Sequence, residues 1–261
     1  MELIDTHCHL NHEEFSQDWA EVYARAETAG VSRFLCISYD LASSRSAAQL
    51  AMQHALIYAA LGIHPESADE WNNDSAAEIA GLFAARPEKL TAYGEIGLDY
   101  HWDTVPRERQ QTVFAAQIAF ALSLRPVSPL PLILHNRDAL ADVLAVLKES
   151  QTPAPIIMHC FTGDTEMARL CLDAGCYLGI GGVATFKKSE AVRDAITFAP
   201  MERLLLETDC PYLAPQFKRG RRNEPSFLPA IAETVAAAKS LPVEEVAAAT
   251  TATAKRLFGM R

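Results

Sequence analysis

The chain has 261 residues, 49% of them hydrophobic, and a formal net charge of −10. This apolar content excludes an intrinsically disordered protein, and the negative charge argues against a general electrostatic attraction to nucleic acid. No apolar run approaches the roughly 18 residues that can span a bilayer, so no membrane association is expected. The first residues lack the basic stretch and apolar core of a secretion signal, and we therefore predict a cytoplasmic protein.

Strand-like and helix-like segments alternate along the chain. The apolar runs that predict strands are Glu2–Thr6, Arg33–Ile37, Ile57–Leu61, Leu90–Glu95, Leu132–Leu134, Ile156–Met158, Tyr177–Ile180 and Leu204–Glu207. Between these runs, apolar residues recur at helical spacing, for example over Ala20–Ala29 and Val113–Leu124. A last helix is predicted over Val243–Phe258. This alternation predicts an α/β protein with a TIM-type (β/α)8 barrel, as a single domain over residues 1–261.

Local signals mark some boundaries between these segments. Ser43 and Ser44 are predicted to cap the helix before the third strand, and Asp164 the helix after the sixth. Three prolines within residues 125–131 predict a rigid, extended connection into the fifth strand.

Potential metal ligands stand where the predicted strands end. His7 and His9 follow the first apolar run, and because alternate side chains of a strand share a face, both can contact one ion. A His-X-His pattern alone is equally compatible with two hydrogen-bonded polar residues. Further candidates end or follow other predicted strands: His64, Glu95, His135, His159 and Asp209. The carboxyl ends of barrel strands meet on the face that holds the active site, so these side chains predict a metal site there.

The ligand types narrow the choice of metal. Imidazole and carboxylate without thiolate suit Zn, Mn, Fe, Co or Ni, and also Mg where carboxylates and water dominate. Glu95, on the fourth strand, is the natural bridge between two ions. The predicted centre holds one ion with His7, His9, Glu95 and Asp209, and the other with Glu95, His135 and His159. Two ions about 3.5–4 Å apart can activate water and stabilise both the attacking and the leaving oxygen.

Seven segments, in order along nearly the whole chain, carry a family resemblance. They are Ile4–Leu10, Gly62–Pro65, Gly94–Tyr100, His135–Ala139, His159–Gly163, Leu206–Pro215 and Arg222–Pro225. A His-X-His or Gly-X-His-Pro pattern is weak by itself, but the segments that read GEIGLDY and ETDCPYLAP make the match specific. With them, the chain resembles the TatD family of metal-dependent deoxyribonucleases, a branch of the amidohydrolase-like barrels.

The resemblance implies a TIM-type barrel and a divalent-metal hydrolase that acts on DNA, often from the 3′ end. It implies two divalent ions per chain, Mg or Mn first, with Zn, Ni, Co or Fe as alternatives, and single strands or 3′ ends as substrate. Asp209 is the candidate base for the attacking water, Glu95 acts as the bridging ligand, and His64 binds the phosphate or positions that water. Carried over by position, the metal site comprises His7, His9, Glu95, His135, His159 and Asp209.

Two arginines are candidates for substrate binding. Arg137 could clamp a phosphate through two guanidinium nitrogens, or it could pair with Asp138 or Glu95 instead. Arg222 belongs to the basic segment Lys218–Arg222, which is predicted to hold the DNA backbone.

Two acidic residues lie beside the predicted ligands. Glu207 shares a strand face with Asp209 and could support a histidine ligand, or take part in a charge pair inside the barrel. Asp99 is predicted to cap a turn rather than to act in catalysis.

Two other functions remain open at this stage. The metal site could serve an amidase, esterase or lactonase, including one that removes D-amino acids from tRNA. Such sites usually carry a lysine at a strand end, and here Glu95 stands in that place. A metal-holding scaffold without turnover is the second alternative. The sequence leaves the oligomeric state open between a monomer and an assembly.

Overall fold

The computed structural model describes residues 1–102, 104–125 and 127–260, in which strands and helices alternate. The strands are β1 Leu3–Cys8, β2 Val31–Ile37, β3 Ile57–Leu61, β4 Leu90–Asp99, β5 Leu132–Arg137, β6 Ile156–Met158, β7 Tyr177–Ile180 and β8 Leu204–Leu206. The α-helices are α1 Trp19–Thr28, α2 Leu41–Gln53, α3 Asn73–Ala85, α4 Arg107–Leu124, α5 Leu140–Ser150, α6 Thr165–Asp173, α7 Glu190–Phe198, α8 Leu228–Lys239 and α9 Val243–Phe258. The order of the strands in the sheet follows their order in the chain, as the predicted barrel requires.

The first compact unit contains Met1–Cys36 and Cys160–Arg261, as far as these are described. In it β1 pairs in parallel with β2, and β7 pairs in parallel with β8. The residues directly after β8 lie beside β1, because Asp209 N–H donates to His7 O at 2.8 Å. Helix α9 packs against β1 and β8, and its Phe258 is buried.

The second compact unit, Ile37–His159, contains β3, β4, β5 and β6 paired in parallel, with α2 to α5. Two strands run further than predicted. β4 continues past Glu95 to Asp99, and β5 continues past Leu134 to Arg137, because Gly97 to Asp99 pair with His135 to Arg137. The prediction that Glu95 and His135 stand at strand ends was therefore wrong: both lie within strands.

Gly97, two residues after Glu95, lies where β4 comes close to β5. Its φ of +141° is a conformation that side chains with a Cβ rarely adopt, and an added Cβ would lie 2.1 Å from His135 O. The glycine thus allows β4 to approach β5 at the level of His135.

The helix caps differ from the prediction at α2 and agree with it at α6. The prediction of Ser43 and Ser44 as caps was wrong, because α2 begins earlier, at Leu41, where Asp40 accepts from Ser43 N–H at 2.6 Å and Ser43 Oγ accepts from Asp40 N–H at 2.9 Å. Asp164 does cap α6, accepting from Met167 N–H at 2.9 Å. Of the proline-rich connection before β5, Pro126 lies outside the described residues. In the described part of the chain, no helix has the length and apolar character needed to cross a membrane.

Candidate metal centre

Three histidine side chains of the second unit converge around Glu95. Its Oε1 lies 2.6 Å from His159 Nε2, 2.8 Å from His135 Nδ1 and 3.7 Å from His64 Nε2. Glu95 and His159 are buried, whereas His64 and His135 are partly buried. Each comes from a different strand or from the residues just after it: His64 follows β3, Glu95 lies in β4, His135 lies in β5 and His159 follows β6.

The chemistry and spacing of these donors fit a divalent metal ion. Bonds of about 2.1 Å at tetrahedral or octahedral angles separate neighbouring ligand atoms by about 3.0–3.4 Å. His135 Nδ1 lies 3.3 Å from His159 Nε2, and the distances of 2.6–3.7 Å from Glu95 Oε1 to the three histidines lie on both sides of this range, so small side-chain shifts would bring the donors around one ion. Imidazole and carboxylate are ligands that first-row divalent metals accept.

A second cluster of donors lies in the first unit. Asp209 Oδ1 is 3.4 Å from His9 Nε2 and 3.6 Å from His7 Nε2, and all three residues are buried. The backbone directs the carboxylate there: Asp209 has a φ of 58°, in the left-handed region that Asp tolerates better than most residues. The described residues thus bring the predicted ligands together in two groups, one in each unit.

Asp99 contacts His135 on the side away from Glu95. Its Oδ2 lies 2.8 Å from His135 Nε2, while its Oδ1 accepts from His101 N–H at 2.9 Å and from Trp102 N–H at 3.2 Å. The carboxylate therefore caps a turn, as predicted, and also holds the imidazole of a candidate ligand. In the neutral form of His135, the proton that Asp99 accepts lies on Nε2, and the lone pair of Nδ1 faces Glu95 and His159.

The charges of this pair are mutually stabilised. Burial acts to lower the pKa of His135, but the hydrogen bonds with Asp99 and Glu95 outweigh it and raise that pKa to about 9. Burial acts to raise the pKa of Asp99, but the hydrogen bond and the charge of His135 lower it to about 2. Asp99 is therefore ionised at neutral pH and can only accept hydrogen bonds, so its contact with His135 requires a proton on Nε2.

His64 is arranged as a hydrogen-bond donor. Its Nδ1 accepts from Glu66 N–H at 3.2 Å, and burial, with the charge of His135, lowers its pKa to about 3. The imidazole is thus neutral, and its proton lies on Nε2, the nitrogen that faces Glu95. A neutral N–H donor beside a group of metal ligands suits the binding of a phosphate oxygen or a water.

Comparison with known proteins places the chain in a family. The family model described as TatD related DNase matches residues 4–259. The chain belongs to the TatD family. It is 44% identical over 257 residues to an uncharacterized metal-dependent hydrolase, YabD, of Bacillus subtilis, covering 98% of each chain. It is 36% identical over 264 residues to the 3′-5′ ssDNA/RNA exonuclease TatD of Citrobacter rodentium, covering 99% of this chain and 98% of the relative.

Solved structures of the TatD family share the fold. YjjV, a TatD homologue from Escherichia coli K12, superposes with a TM-score of 0.92 at 30% identity, over 99% of this chain and 98% of that one. A TatD-family hydrolase from Entamoeba histolytica gives 0.89 at 23% identity, over 100% and 99%. The predicted fold class, a (β/α)8 barrel, is confirmed. The chain is a metal-dependent hydrolase of the TatD family.

Glu207 lies beside the backbone that follows His159. Its Oε1 accepts from Cys160 N–H at 2.5 Å, and the side chain is fully buried. An added Cβ at Gly179 would lie 2.2 Å from Glu207 Oε2, so β7 leaves room for this carboxylate by carrying glycine. The predicted contact of Glu207 with a histidine ligand stays a prediction.

The two predicted substrate-binding arginines have different surroundings. Arg137 is exposed, its guanidinium lies 5.6 Å from the Trp102 ring, and among the described residues it forms no ion pair, with Asp138 or Glu95 or otherwise. Arg222 instead donates to both carboxylate oxygens of Asp18, at 2.9 and 2.5 Å. Contact of either arginine with substrate stays a prediction.

Sequence reasoning missed the contact between Asp99 and His135. The available signal was position: Asp99 lies four residues after Glu95, so the same extended strand carries both carboxylates inward.

Proposed function

We propose that this chain is a divalent-metal-dependent nuclease that hydrolyses phosphodiester bonds of DNA, and that it removes nucleotides from the 3′ ends of single strands. The name of its relative from Citrobacter rodentium, a 3′-5′ ssDNA/RNA exonuclease, supports the substrate class and the polarity. The proposal includes the cytoplasmic location predicted from the sequence.

One observation carries the proposal: histidines and carboxylates gather in two groups, each with the spacing of metal ligands. We propose that the centre holds two divalent ions, Mg or Mn first, with Zn, Ni, Co or Fe as alternatives. Such ions polarise a phosphate and make water a stronger nucleophile at neutral pH. The proposed ligands are His7, His9, Glu95 and Asp209 for one ion, and Glu95, His135 and His159 for the other; the bridging role of Glu95 stays a prediction.

The protein side chains have distinct roles in this proposal. Asp209, whose carboxylate lies beside His7 and His9, orients the attacking water and accepts its proton. His64 donates a hydrogen bond from its Nε2–H to a phosphate oxygen of the substrate. Asp99 keeps the imidazole of His135 in one orientation and one tautomer. These roles supply the reaction with a proton acceptor and a hydrogen-bond donor.

The donor set favours this reaction over hydrolysis of amides or lactones. Among the described residues, no lysine lies at the carboxyl end of a strand, and a lysine there usually bridges the metals in amidase-type and lactonase-type sites. Glu95, within β4, is instead the carboxylate proposed to bridge the metals.

A substrate panel tests the proposal. The metal-loaded enzyme is incubated with 3′-labelled and 5′-labelled single-stranded oligonucleotides, p-nitrophenyl esters, lactones and D-aminoacyl-tRNA, in Mg or Mn. We expect stepwise release of nucleotides from the 3′ end and much slower turnover of the other compounds. Faster hydrolysis of esters, lactones or D-aminoacyl-tRNA than of any oligonucleotide would refute the proposal.

A further inference from the structure

The loops that follow β7 and β8 carry exposed rings and cations on one side of the first unit. We call this set the aromatic–basic surface and define it by six residues: Phe186, Lys187, Tyr212, Phe217, Lys218 and Arg219. Phe217 is 60% exposed and Tyr212 is 46% exposed. These exposed rings leave apolar surface in contact with water. Exposed apolar patches commonly mark a binding surface.

The surface begins at the first-unit ligand group. Tyr212 N–H donates to Asp209 O at 2.9 Å, and the Tyr212 ring lies 5.9 Å from the His9 ring. A chain molecule with one end at Asp209 would therefore meet Tyr212 first.

Side-chain contacts join the two loops into one surface. Gln216 N–H donates to Thr185 Oγ1 at 2.7 Å, and Gln216 Oε1 accepts from Lys187 N–H at 3.2 Å. The Arg219 guanidinium lies over the Phe186 ring at 4.4 Å. These contacts hold the cation of one loop against the ring of the other, so the surface is formed before any ligand arrives.

Among the residues that the structure describes, no carboxylate pairs with the cations of the surface. Within the described part of the chain, Lys187, Lys218 and Arg219 form no ion pair; instead, the Lys218 ammonium lies 5.9 Å from the Phe217 ring and 5.7 Å from the Phe227 ring. In a protein with a net charge of −10, such a concentration of positive charge gives a local field of the opposite sign. That field favours an anionic ligand at this place.

We propose that the aromatic–basic surface binds the part of a single-stranded nucleic acid that lies upstream of the 3′ end being cut. Tyr212 and Phe217 stack on unpaired bases, while Lys187, Lys218 and Arg219 contact the phosphates. Alternating rings and cations fit this polymer, because each nucleotide offers an apolar base face and one negative charge. The inference rests on the proposed function. It adds where the substrate strand runs and that several of its nucleotides are bound at once.

The test measures how much a long strand gains over a short substrate. With metal-loaded enzyme, kcat/KM is determined for a twenty-nucleotide oligothymidylate, for the matching oligouridylate and for thymidine 5′-p-nitrophenyl phosphate. The quantity compared is the ratio of the long-strand value to the short-substrate value. Because stacking of one base contributes about 1–3 kcal/mol, we expect Phe217→Ala to lower this ratio roughly fivefold to 150-fold for both oligonucleotides. The matched control Phe198→Ala removes the ring of another exposed phenylalanine, which is 48% exposed at the end of α7, and should keep the wild-type ratio.

The charge variants give an independent readout. The double variant Lys218→Ala, Arg219→Ala should reduce the slope of log kcat/KM against log salt by about 0.7 for each lost phosphate contact. The control Lys148→Ala removes an exposed cation from α5 and should keep the wild-type slope.

The outcomes separate this inference from the proposed function. If the wild-type enzyme cleaves no oligonucleotide, the proposed function itself fails. If it cleaves them but Phe217→Ala and the double variant behave like their controls, the surface does not bind the strand. If the variants keep the ratio and the slope but lose binding to vesicles of anionic phospholipid, the surface serves a membrane, which also overturns the inference. A fall in the ratio for oligouridylate alone, or for oligothymidylate alone, would support the inference for that polymer only.

Discussion

Replacement of Asp99 by asparagine tests whether this carboxylate prepares His135 for metal binding. Asparagine keeps the shape of the side chain and its Oδ1, so the hydrogen bonds from His101 N–H and Trp102 N–H can persist. Its amide group, however, can donate to His135 Nε2 at the position where Asp99 Oδ2 now lies, 2.8 Å away. That arrangement places the imidazole proton on Nδ1, the atom that faces Glu95, and a protonated nitrogen cannot bind a metal.

The expected loss follows from the hydrogen bond that is removed. A bond to a charged group contributes about 1.5–3 kcal/mol, which corresponds to roughly a 10-fold to 150-fold change in an equilibrium constant. Substitution of the outer partners of metal-bound histidines typically costs 10–100-fold in affinity. We therefore expect Asp99→Asn to weaken the binding of one divalent ion about 10–100-fold and to leave the other ion less affected.

The assay is a competition titration of metal-free protein with Mn or Zn against a fluorescent chelator. The matched control is Asp142→Asn, since Asp142 also accepts two side-chain hydrogen bonds, from Tyr100 at 2.6 Å and Gln111 at 3.0 Å. Thermal unfolding of the metal-free proteins should show similar midpoints for the two variants. Wild-type affinity for both ions in Asp99→Asn, or an equal loss in Asp142→Asn, would refute the reasoning.

Further predictions concern the ligands, the metal content and the stability. Glu95→Gln should lower turnover at saturating metal by at least about 100-fold, because a shared ligand loses its charge; near-normal turnover would exclude Glu95 as a bridge. Asp209→Asn should abolish kcat at every DNA concentration, since its role is exerted in the transition state; recovery of activity at high substrate would assign it to binding instead. Mass spectrometry of protein purified without chelator should find two equivalents of metal, and a reproducible single equivalent after metal supplementation would contradict the two-ion centre. Burial acts to raise the pKa of Glu224, but its hydrogen bonds with Arg25 and Ser226 lower it below the ordinary 4.5, so its contribution to stability is present above that value and is lost as the pH falls through the lowered pKa. Arg25→Ala should therefore reduce the free energy of unfolding by about 1 kcal/mol at neutral pH, after allowance for the exposure of the arginine, and urea titrations near pH 3 should show a smaller difference.

The fold was predictable from the sequence because its strands and helices are encoded by local periodicity. Short apolar runs separated by amphipathic segments leave few arrangements other than a parallel barrel, and α9 was predicted with the bounds that the structure has. The ends of other elements depend on partners. β4 and β5 extend because their backbones pair with each other, and α2 begins at Leu41 because Asp40 caps it.

The candidate ligands were also readable from the sequence, since few residue types bind divalent ions and each lies near the end of an apolar run. What the sequence could not decide is which polar groups meet across long separations in the chain. Asp99 and His135 are 36 residues apart, and Arg222 pairs with Asp18, 204 residues away. A carboxylate or guanidinium has the same local signal whether it contacts a ligand, a substrate or another side chain. Tertiary structure decides between these roles, because hydrogen bonds act only over about 3 Å and in defined directions.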